Sequence, residues 1–519
     1  MRPRHLLSLI GLAPALLGAQ PAARRAFRVE ETTIAQVHAA LKAKTLTCHA
    51  LVQRYLDRIA AYDKKGPAIN AVVALNTGAL QTADSLDRRF ATEGLTGPLH
   101  CIPMLVKDNF ETKDLQTTAG SLALKGWIPR QDATMVRRIR EAGAIVLAKS
   151  NMAEWAFSPI ETVNSILPGY TKNPYALDRV TAGSSGGTAA GVAANEGESG
   201  LGSDTGNSIR GPSAHNALVG IRSTMGLTSR AGVVPLSNSA DIAGPMARTV
   251  ADAVAIFDVV AGEDPDDPVT AASRGHREQD YRKFLVSGGL KGARIGVLRQ
   301  AYERQGADSA DGEVVAVFTR ALDELRRQGA TIVDPAVVEM PAAGGGGRGG
   351  GCNRFRFDLE GYLAARGQNA PVKTVSEVLR SGKFHPSVQL RLQQANDTTL
   401  LPPEKSPGCL AGETARERLR VAVTAAMDSL RLDAFVYPTW SNPPRLIGDL
   451  NTPAGDNSQV FSPRTGFPAI TVPMGWTRGN SLPAGMTFFG RAWSEPRLIN
   501  LAYDYEQGTH HRRPPASAP

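Results

Sequence analysis

The chain has 519 residues and a formal net charge of +9, and 42% of its residues are hydrophobic. That hydrophobic content is sufficient for a large buried core, and the length is compatible with about two to four ordinary domains or one large α/β domain. The lysines and arginines are dispersed, apart from short pairs such as Arg24-Arg25, so the positive charge does not indicate a nucleic-acid-binding surface. We therefore expect no nucleic-acid partner.

Residues 1–19 have the pattern of an export signal. Arg2 and Arg4 precede the apolar run Leu6 to Ala19, which ends in small side chains directly before Gln20. The run is too short to span a bilayer, and a buried N-terminal helix would not need a charged start. The pattern predicts cleavage near positions 19 and 20 and an exported protein, periplasmic or secreted, that keeps no stable membrane anchor.

Helical and strand patterns alternate along the rest of the chain. Thr33 to Gln36 is a capping-box pattern before a first helix, a second helix is predicted over 51–61, and a strand follows. Further along, a strand at 293–298, a helix at 313–328 and a strand at 331–333 form a strand–helix–strand unit. Parallel strands require such a connection, so the sequence predicts an α/β protein.

Two apolar strand patterns end in a lysine. The segment 99–106 contains a proline and runs into Lys107 and Asp108, and the segment 144–148 runs into Lys149. A lysine at a strand end is most often solvated, but a buried lysine there would lose its charge and could act as a general base. An adjacent carboxylate would oppose that loss. If Lys107 is the base, we expect the Asp108 side chain to turn away from it.

Two Gly-Ser turns follow, GSSGG at 183–187 and DTGNSIRGP at 204–212. On composition alone GSSGG fits a flexible linker, but an Ala-rich helix, a short strand and the second turn come after it. In the second turn, Gly206 and Asn207 tolerate positive φ. We expect the backbone N–H groups just before and at Ser208 to converge, which is the geometry of an oxyanion hole.

The combined pattern GSSGG(x)16DTGNSIRGP resembles the signature of the amidase signature family of serine hydrolases, and the similarity extends from about Val29 to Arg513. It implies a single α/β amidase domain over 29–513, with a central mixed β-sheet covered by helices on both faces. The segment 341–456 is its least specific part and is where such folds vary their substrate pocket. The chain departs from the family at Asn207, where glycine is usual, and this side chain is expected to narrow the pocket.

The resemblance also implies a Ser-Ser-Lys triad that hydrolyses carboxylic amides through an acyl-enzyme. Ser208 would be the nucleophile, Ser184 would relay the proton from a position after a cis peptide bond, and Lys107 would be the base. Lys149, although similar in its local sequence, would be structural.

Supporting roles follow from the same resemblance. Ser185 would hold the first turn, and Asp204 and Arg210 would pair to hold the second. The oxyanion-hole N–H groups would belong to Thr205, Gly206, Asn207 and Ser208. No metal or cofactor is implied. The expected partner is a small-molecule amide substrate. A second copy of the chain, in a homodimer, is a further candidate partner. Fatty, aryl, peptide C-terminal and short aliphatic amides are all candidate substrates.

Other functions fit parts of the sequence. GSSGG also matches the nucleophile elbow of α/β-hydrolases, which would make Ser185 the nucleophile of an esterase, but the segment 173–182 before it is polar and contains proline. A nitrilase-like reaction would need a reactive thiol, and Cys101 lies in an apolar run where we expect an inert packed thiol. A non-catalytic relative would be expected to lack triad residues. The glutamine-hydrolysing component of a tRNA amidotransferase would be cytoplasmic, which conflicts with the export signal.

The four cysteines are too scattered for a disulfide framework or a zinc site. Cys352 and Cys409 flank the region with the weakest pattern. In an oxidising compartment these two are predicted to form a single bridge.

Overall fold

The computed structural model describes residues 27–304, 306, 309–340, 352–449 and 451–519, so the predicted export signal lies outside the described residues. Within these ranges the strands are β1 (Val72–Leu75), β2 (Pro103–Lys107), β3 (Ile145–Ser150), β4 (Lys172–Asn173), β5 (Ala176–Val180), β6 (Ser199–Asp204), β7 (Val219–Arg222), β8 (Ile242–Ala247), β9 (Arg294–Val297), β10 (Thr331–Val333), β11 (Ala434–Pro438), β12 (Ala469–Thr477) and β13 (Leu482–Phe489). The α-helices are α1 (Ile34–Lys42), α2 (Cys48–Tyr62), α3 (Ala79–Glu93), α4 (Thr134–Glu141), α5 (Gly186–Ala193), α6 (Arg210–His215), α7 (Val250–Val260), α8 (Gly312–Arg327), α9 (Phe355–Ala365), α10 (Val375–Ser381), α11 (Gln389–Ala395), α12 (Pro407–Ser429), α13 (Ser462–Thr465) and α14 (Glu495–Thr509).

One mixed sheet of 11 strands organises the described residues, in the order β1-β3-β2-β6-β8-β7-β12-β13-β11-β9-β10. β2 is parallel to β3 and β6, and β9 is parallel to β10 and β11, whereas the other neighbouring strands are antiparallel. The predicted strand–helix–strand unit is β9-α8-β10. The predicted α/β fold, with a central mixed sheet covered by helices, is confirmed.

Several helices begin where the sequence provides a side-chain cap. The Thr33 side chain accepts a hydrogen bond from the Gln36 backbone N–H, and the Gln36 side chain accepts one from the Thr33 backbone N–H. This reciprocal pair is the predicted capping box, and it satisfies two of the N–H groups that a helix start leaves free. Thr249 caps α7 in the same position, by accepting from the backbone N–H of Asp252.

Buried side chains form two large cores, one at each end of the sheet. The first contains Leu105 and Ile145 from β2 and β3, and the second contains Val436 and Phe488 from β11 and β13. A smaller cluster packs α9–α11 against Trp127, Trp155 and their neighbours, in the segments that follow β2 and β3. None of the helices in the described ranges is both long enough and apolar enough to cross a membrane.

Both cysteine pairs are joined. The predicted bridge between Cys352 and Cys409 is present, and Cys48 is also joined to Cys101. The prediction of an inert packed thiol at Cys101 is therefore wrong. The disulfide depends on tertiary structure, which the sequence does not show. Cys48, the first residue of α2, lies against the turn before β2, and its Cα atom is 5.3 Å from that of Cys101.

The strand before Lys107 is shorter than its apolar pattern suggested. β2 begins only at Pro103, and Cys101 in the preceding segment has a φ of 66°, which is not a strand conformation. The shorter strand still ends at Lys107, so the lysine keeps its predicted position at the sheet edge.

Candidate active site

Lys107 is the last residue of β2, and its side chain is fully buried. Its Nζ donates hydrogen bonds to Ser184 Oγ at 2.7 Å and to Ser203 Oγ at 2.8 Å. Ser203 is near the end of β6, which lies beside β2 and parallel to it. Parallel neighbours end at the same edge of a sheet, so the fold itself brings these two side chains together.

Burial lowers the pKa of Lys107 from 10.5 to about 7, although the carboxylates of Asp204 and Asp241 act in the opposite direction. Removing an ammonium group from water disfavours its charged form. Among the described residues, no carboxylate forms a hydrogen bond with the Lys107 ammonium group. A substantial fraction of Lys107 is therefore neutral at pH 7, which is the state in which it can accept a proton.

Lys149, the last residue but one of the neighbouring strand β3, has different partners. Its Nζ donates to the backbone oxygen of Phe110 at 2.6 Å and to Thr117 Oγ1 at 2.9 Å, and it lies 3.5 Å from Asp108 Oδ1. Asp108 thus faces Lys149 and turns away from Lys107, as expected. Burial also lowers the pKa of Lys149, to about 8. Of the two candidate lysines, only Lys107 contacts Ser184.

The GSSGG turn places Ser184 and Ser185 differently. The Gly183–Ser184 peptide bond is cis, as the resemblance implied, and Ser184 Oγ accepts from Lys107. Ser185 donates its backbone N–H to the backbone oxygen of Ser208 at 3.3 Å, which ties the first turn to the second. Its Oγ donates to the backbone oxygen of Ser203 at 3.2 Å. These contacts fit the supporting position expected for Ser185.

Geometry also argues against Ser185 as the nucleophile of an elbow. The strand before it, β5, pairs with β4 in a two-stranded sheet that is separate from the main sheet, whereas an elbow follows a strand of the main sheet. The Ser185 side chain is fully buried, whereas Ser208 retains an exposure of 6%.

A buried ion cluster holds the second turn. Asp204 Oδ2 accepts from the backbone N–H groups of Ile209 and Arg210 at 3.1 and 3.3 Å, and from Arg210 Nε at 3.2 Å. Its Oδ1 accepts from Arg222 Nη1 at 3.0 Å. Burial would raise the pKa of Asp204, but Arg210 and Arg222 more than offset it and hold the pKa below its usual value. The carboxylate therefore stays ionised and locks the turn that carries Ser208.

The backbone N–H groups of Thr205, Gly206, Asn207 and Ser208 donate no hydrogen bond to any of the described residues. Free N–H groups in a turn beside a serine are the donors that an oxyanion needs. Gly206 and Asn207 tolerate positive φ, but neither residue adopts it in this turn. The Asp204 cluster, rather than glycine conformations, fixes the turn.

Three residues of the site were missed by sequence reasoning. Ser203 Oγ accepts from Lys107 and also from Asn109 Nδ2, at 3.0 Å. Asn109 could have been identified from the sequence, because it follows Lys107 and Asp108 directly. Ser203 and Arg222 could not, because only the strand order shows which side chains meet.

In the described ranges, one group of metal-type ligands is close enough to share an ion. It consists of Cys48, His100 and Cys101, whose ligand atoms lie within 4.8 Å of one another. The two sulfurs are joined to each other, and none of the three residues contacts Lys107.

A family model described as Amidase matches residues 50–499. The chain belongs to the amidase family. A protein of Arabidopsis thaliana named "Probable amidase" is 34% identical over 510 residues, which cover 94% of this chain and 92% of that protein. A glutamyl-tRNA(Gln) amidotransferase subunit of Moorella thermoacetica is 33% identical, covering 92% of this chain and 96% of that one.

Solved structures extend the similarity to the whole fold. The peptide amidase of Stenotrophomonas maltophilia is 38% identical, with a TM-score of 0.83, and the match covers 94% of this chain and 99% of that one. This amidase-family chain is therefore an amidohydrolase that acts on carboxylic amides.

Proposed function

We propose that this amidase uses Ser208 as nucleophile, Ser184 as proton relay and Lys107 as base. The observation that carries the proposal is the 2.7 Å hydrogen bond between Lys107 Nζ and Ser184 Oγ in a fully buried site. The contact between Ser185 N–H and the Ser208 backbone oxygen brings the two serine turns side by side.

The reaction proceeds in two halves. Neutral Lys107 accepts the Ser184 proton while Ser184 accepts that of Ser208, and Ser208 Oγ attacks the amide carbonyl carbon. The tetrahedral oxyanion accepts hydrogen bonds from the backbone N–H groups of the Thr205–Ser208 turn. Ser184 then gives a proton to the leaving nitrogen, the C–N bond breaks, and ammonia or an amine departs. Water attacks the acyl-enzyme by the same relay and releases the carboxylic acid.

We also propose that the protein is exported and acts outside the cytoplasm. The charged start and short apolar run at 1–19 support this, and a bridge between Cys352 and Cys409 is suited to an oxidising compartment. An exported chain would hydrolyse free small-molecule amides rather than serve a tRNA-dependent complex.

The test is ammonia release from a panel of primary amides that includes glutamine. The expected result is hydrolysis by the isolated chain, abolished in Ser208→Ala and reduced by several orders of magnitude in Ser184→Ala. Ser185→Ala should lose less activity than either, because its contacts only hold the turn. Activity that survives in Ser208→Ala would refute the proposal, and activity confined to glutamine with added partner proteins would favour the amidotransferase function.

A further inference from the structure

The Lys107 amine has three hydrogen-bond acceptors around it in the described part of the chain. Besides Ser184 Oγ and Ser203 Oγ, its Nζ donates to the backbone oxygen of Ser203 at 3.3 Å. An ammonium group carries three N–H donors, so the charged form can use all three acceptors. The neutral amine has two N–H groups and one lone pair. That lone pair must face Ser184 if Lys107 is to accept its proton.

The two oxygens of Ser203 differ in what they can offer the lysine. A carbonyl oxygen only accepts, so the backbone oxygen of Ser203 can hold an N–H of the amine but cannot face its lone pair. A hydroxyl can accept or donate, so the lone pair of neutral Lys107 can face the hydroxyl of Ser203 or that of Ser184. Only the second arrangement starts the proposed relay. Activity therefore requires the Ser203 hydroxyl to accept.

Asn109 favours this accepting role. Its Nδ2 donates to Ser203 Oγ at 3.0 Å, and Lys107 Nζ donates to the same oxygen at 2.8 Å. The two donors occupy both lone pairs of Ser203 Oγ, whereas Ser184 Oγ accepts from Lys107 alone among the described residues. The proton of the Ser184 hydroxyl can therefore turn towards the lysine.

Asn109 is itself held in one orientation. Its backbone oxygen accepts from the Val234 N–H at 2.8 Å, and its Nδ2 also donates to the Val234 backbone oxygen at 3.4 Å. Because that oxygen only accepts, the nitrogen of the side-chain amide, rather than its oxygen, faces both Val234 and Ser203. The residue is 2% exposed, so its amide has little access to competing water.

We propose that Ser203 and Asn109 are positioning residues that aim the proposed base. Ser203 takes both N–H groups of neutral Lys107, one on its backbone oxygen and one on its hydroxyl, and Asn109 keeps that hydroxyl accepting. The lone pair of the lysine then faces Ser184. The inference rests on the proposed function, because it assumes that Lys107 is the base.

The test measures kcat and KM between pH 5 and pH 10, for the primary amide of the ammonia-release panel that is hydrolysed fastest. In Ser203→Ala the neutral lysine loses one of its two acceptors, so kcat should fall by about tenfold or more while KM stays within about twofold. The charged lysine loses the same acceptor. The midpoint of the rise in kcat/KM with pH should therefore move down by about one unit.

Asn109→Leu is a second, independent variant. It removes the Nδ2 donor, so the Ser203 hydroxyl can turn its proton to the lysine, and kcat should fall by about threefold or more with KM unchanged. In the double variant Ser203→Ala/Asn109→Leu, kcat should be no lower than in Ser203→Ala, because Asn109 acts through the Ser203 hydroxyl. Circular dichroism checks that each variant is folded.

Thr117→Val is the matched control. Thr117 Oγ1 accepts from Lys149, the other buried lysine, at 2.9 Å, so this change removes a hydroxyl acceptor from the wrong lysine. Its midpoint should stay at that of wild type. Wild-type kcat and midpoint in both single variants, losses that add in the double variant, or an equal shift in Thr117→Val would overturn the inference. Failure of the proposed function gives a different result, because the rise with pH would then persist in Lys107→Met.

Discussion

Replacing Lys107 by methionine removes the proposed base while keeping an apolar stem of similar length. A lysine with its usual pKa near 10.4 is neutral in roughly 4 molecules of 10,000 at pH 7. With the pKa of Lys107 lowered to about 7 by burial, about half of the molecules are neutral at that pH. Burial therefore increases the amount of usable base roughly a thousandfold. We expect Lys107→Met to lower kcat/KM by on the order of 10³- to 10⁴-fold.

The assay is kcat/KM for a primary amide between pH 5 and pH 10. Because the active form is neutral, the wild-type rate should rise with pH and level off above a midpoint near 7, the pKa of Lys107. The residual activity of Lys107→Met should lack this rise. The pKa of Lys149 is about 8, so the midpoint alone does not identify the lysine.

The matched control is the double variant Lys149→Met/Asp108→Asn, which removes both charges of the neighbouring buried pair at once. Removing one charge alone would leave the other unpaired and cost about 3–5 kcal/mol. In the double variant, kcat/KM should still rise with pH to a midpoint near 7. If this rise persists unchanged in Lys107→Met, or disappears only in the double variant, Lys107 is not the base.

The same substitution should change how stability depends on pH. The unfolded chain keeps the Lys107 proton up to a pH of about 10.5, whereas the folded chain loses it near 7. Within this window unfolding takes up a proton, so the free energy of unfolding rises with pH by up to about 1.4 kcal/mol per unit. Relative to wild type, the stability of Lys107→Met in urea should therefore fall by about 3–4 kcal/mol between pH 7 and pH 10. If the difference in unfolding free energy between Lys107→Met and wild type were the same at pH 7 and pH 10, the folded lysine would have to stay charged.

Three further predictions concern the scaffold and the compartment. Arg222→Met should destabilise the fold by about 3–5 kcal/mol in urea unfolding, because it leaves the Asp204 carboxylate with one buried partner fewer; Asp204→Asn in the same chain should recover part of the loss. Non-reducing peptide maps should recover Cys352 and Cys409 in one linked peptide pair, and free thiols at both would contradict the bridge. N-terminal sequencing of protein from the native host should begin within a few residues of Gln20, whereas an intact Met1 in cytoplasmic protein would contradict export.

The sequence was most informative where a local pattern also determines the local structure. The capping box at Thr33 fixes a helix start through contacts three residues apart. The strand ending in Lys107 and the turns carrying Ser184 and Ser208 lie where the motifs predicted them. Each of these features depends on neighbours in the sequence or on a long, specific resemblance.

What the sequence did not indicate depends on contacts between distant segments. Ser203 reaches Lys107 only because β6 pairs with β2, and Arg222 reaches Asp204 only because β7 lies near β6 in the sheet. The pairing of Cys48 with Cys101 likewise depends on how α2 packs. Strand order in a mixed sheet of 11 strands is not encoded in any local pattern, so these residues were not identifiable beforehand.

The most direct test of the central claim is to map the residue that a fluorophosphonate labels in the folded enzyme. We expect one adduct per chain, on Ser208, with labelling abolished in Ser208→Ala and strongly slowed in Ser184→Ala and Lys107→Met. An adduct on Ser185 would contradict it, because that serine would then be the nucleophile and the Lys107–Ser184 contact would have no role in its activation.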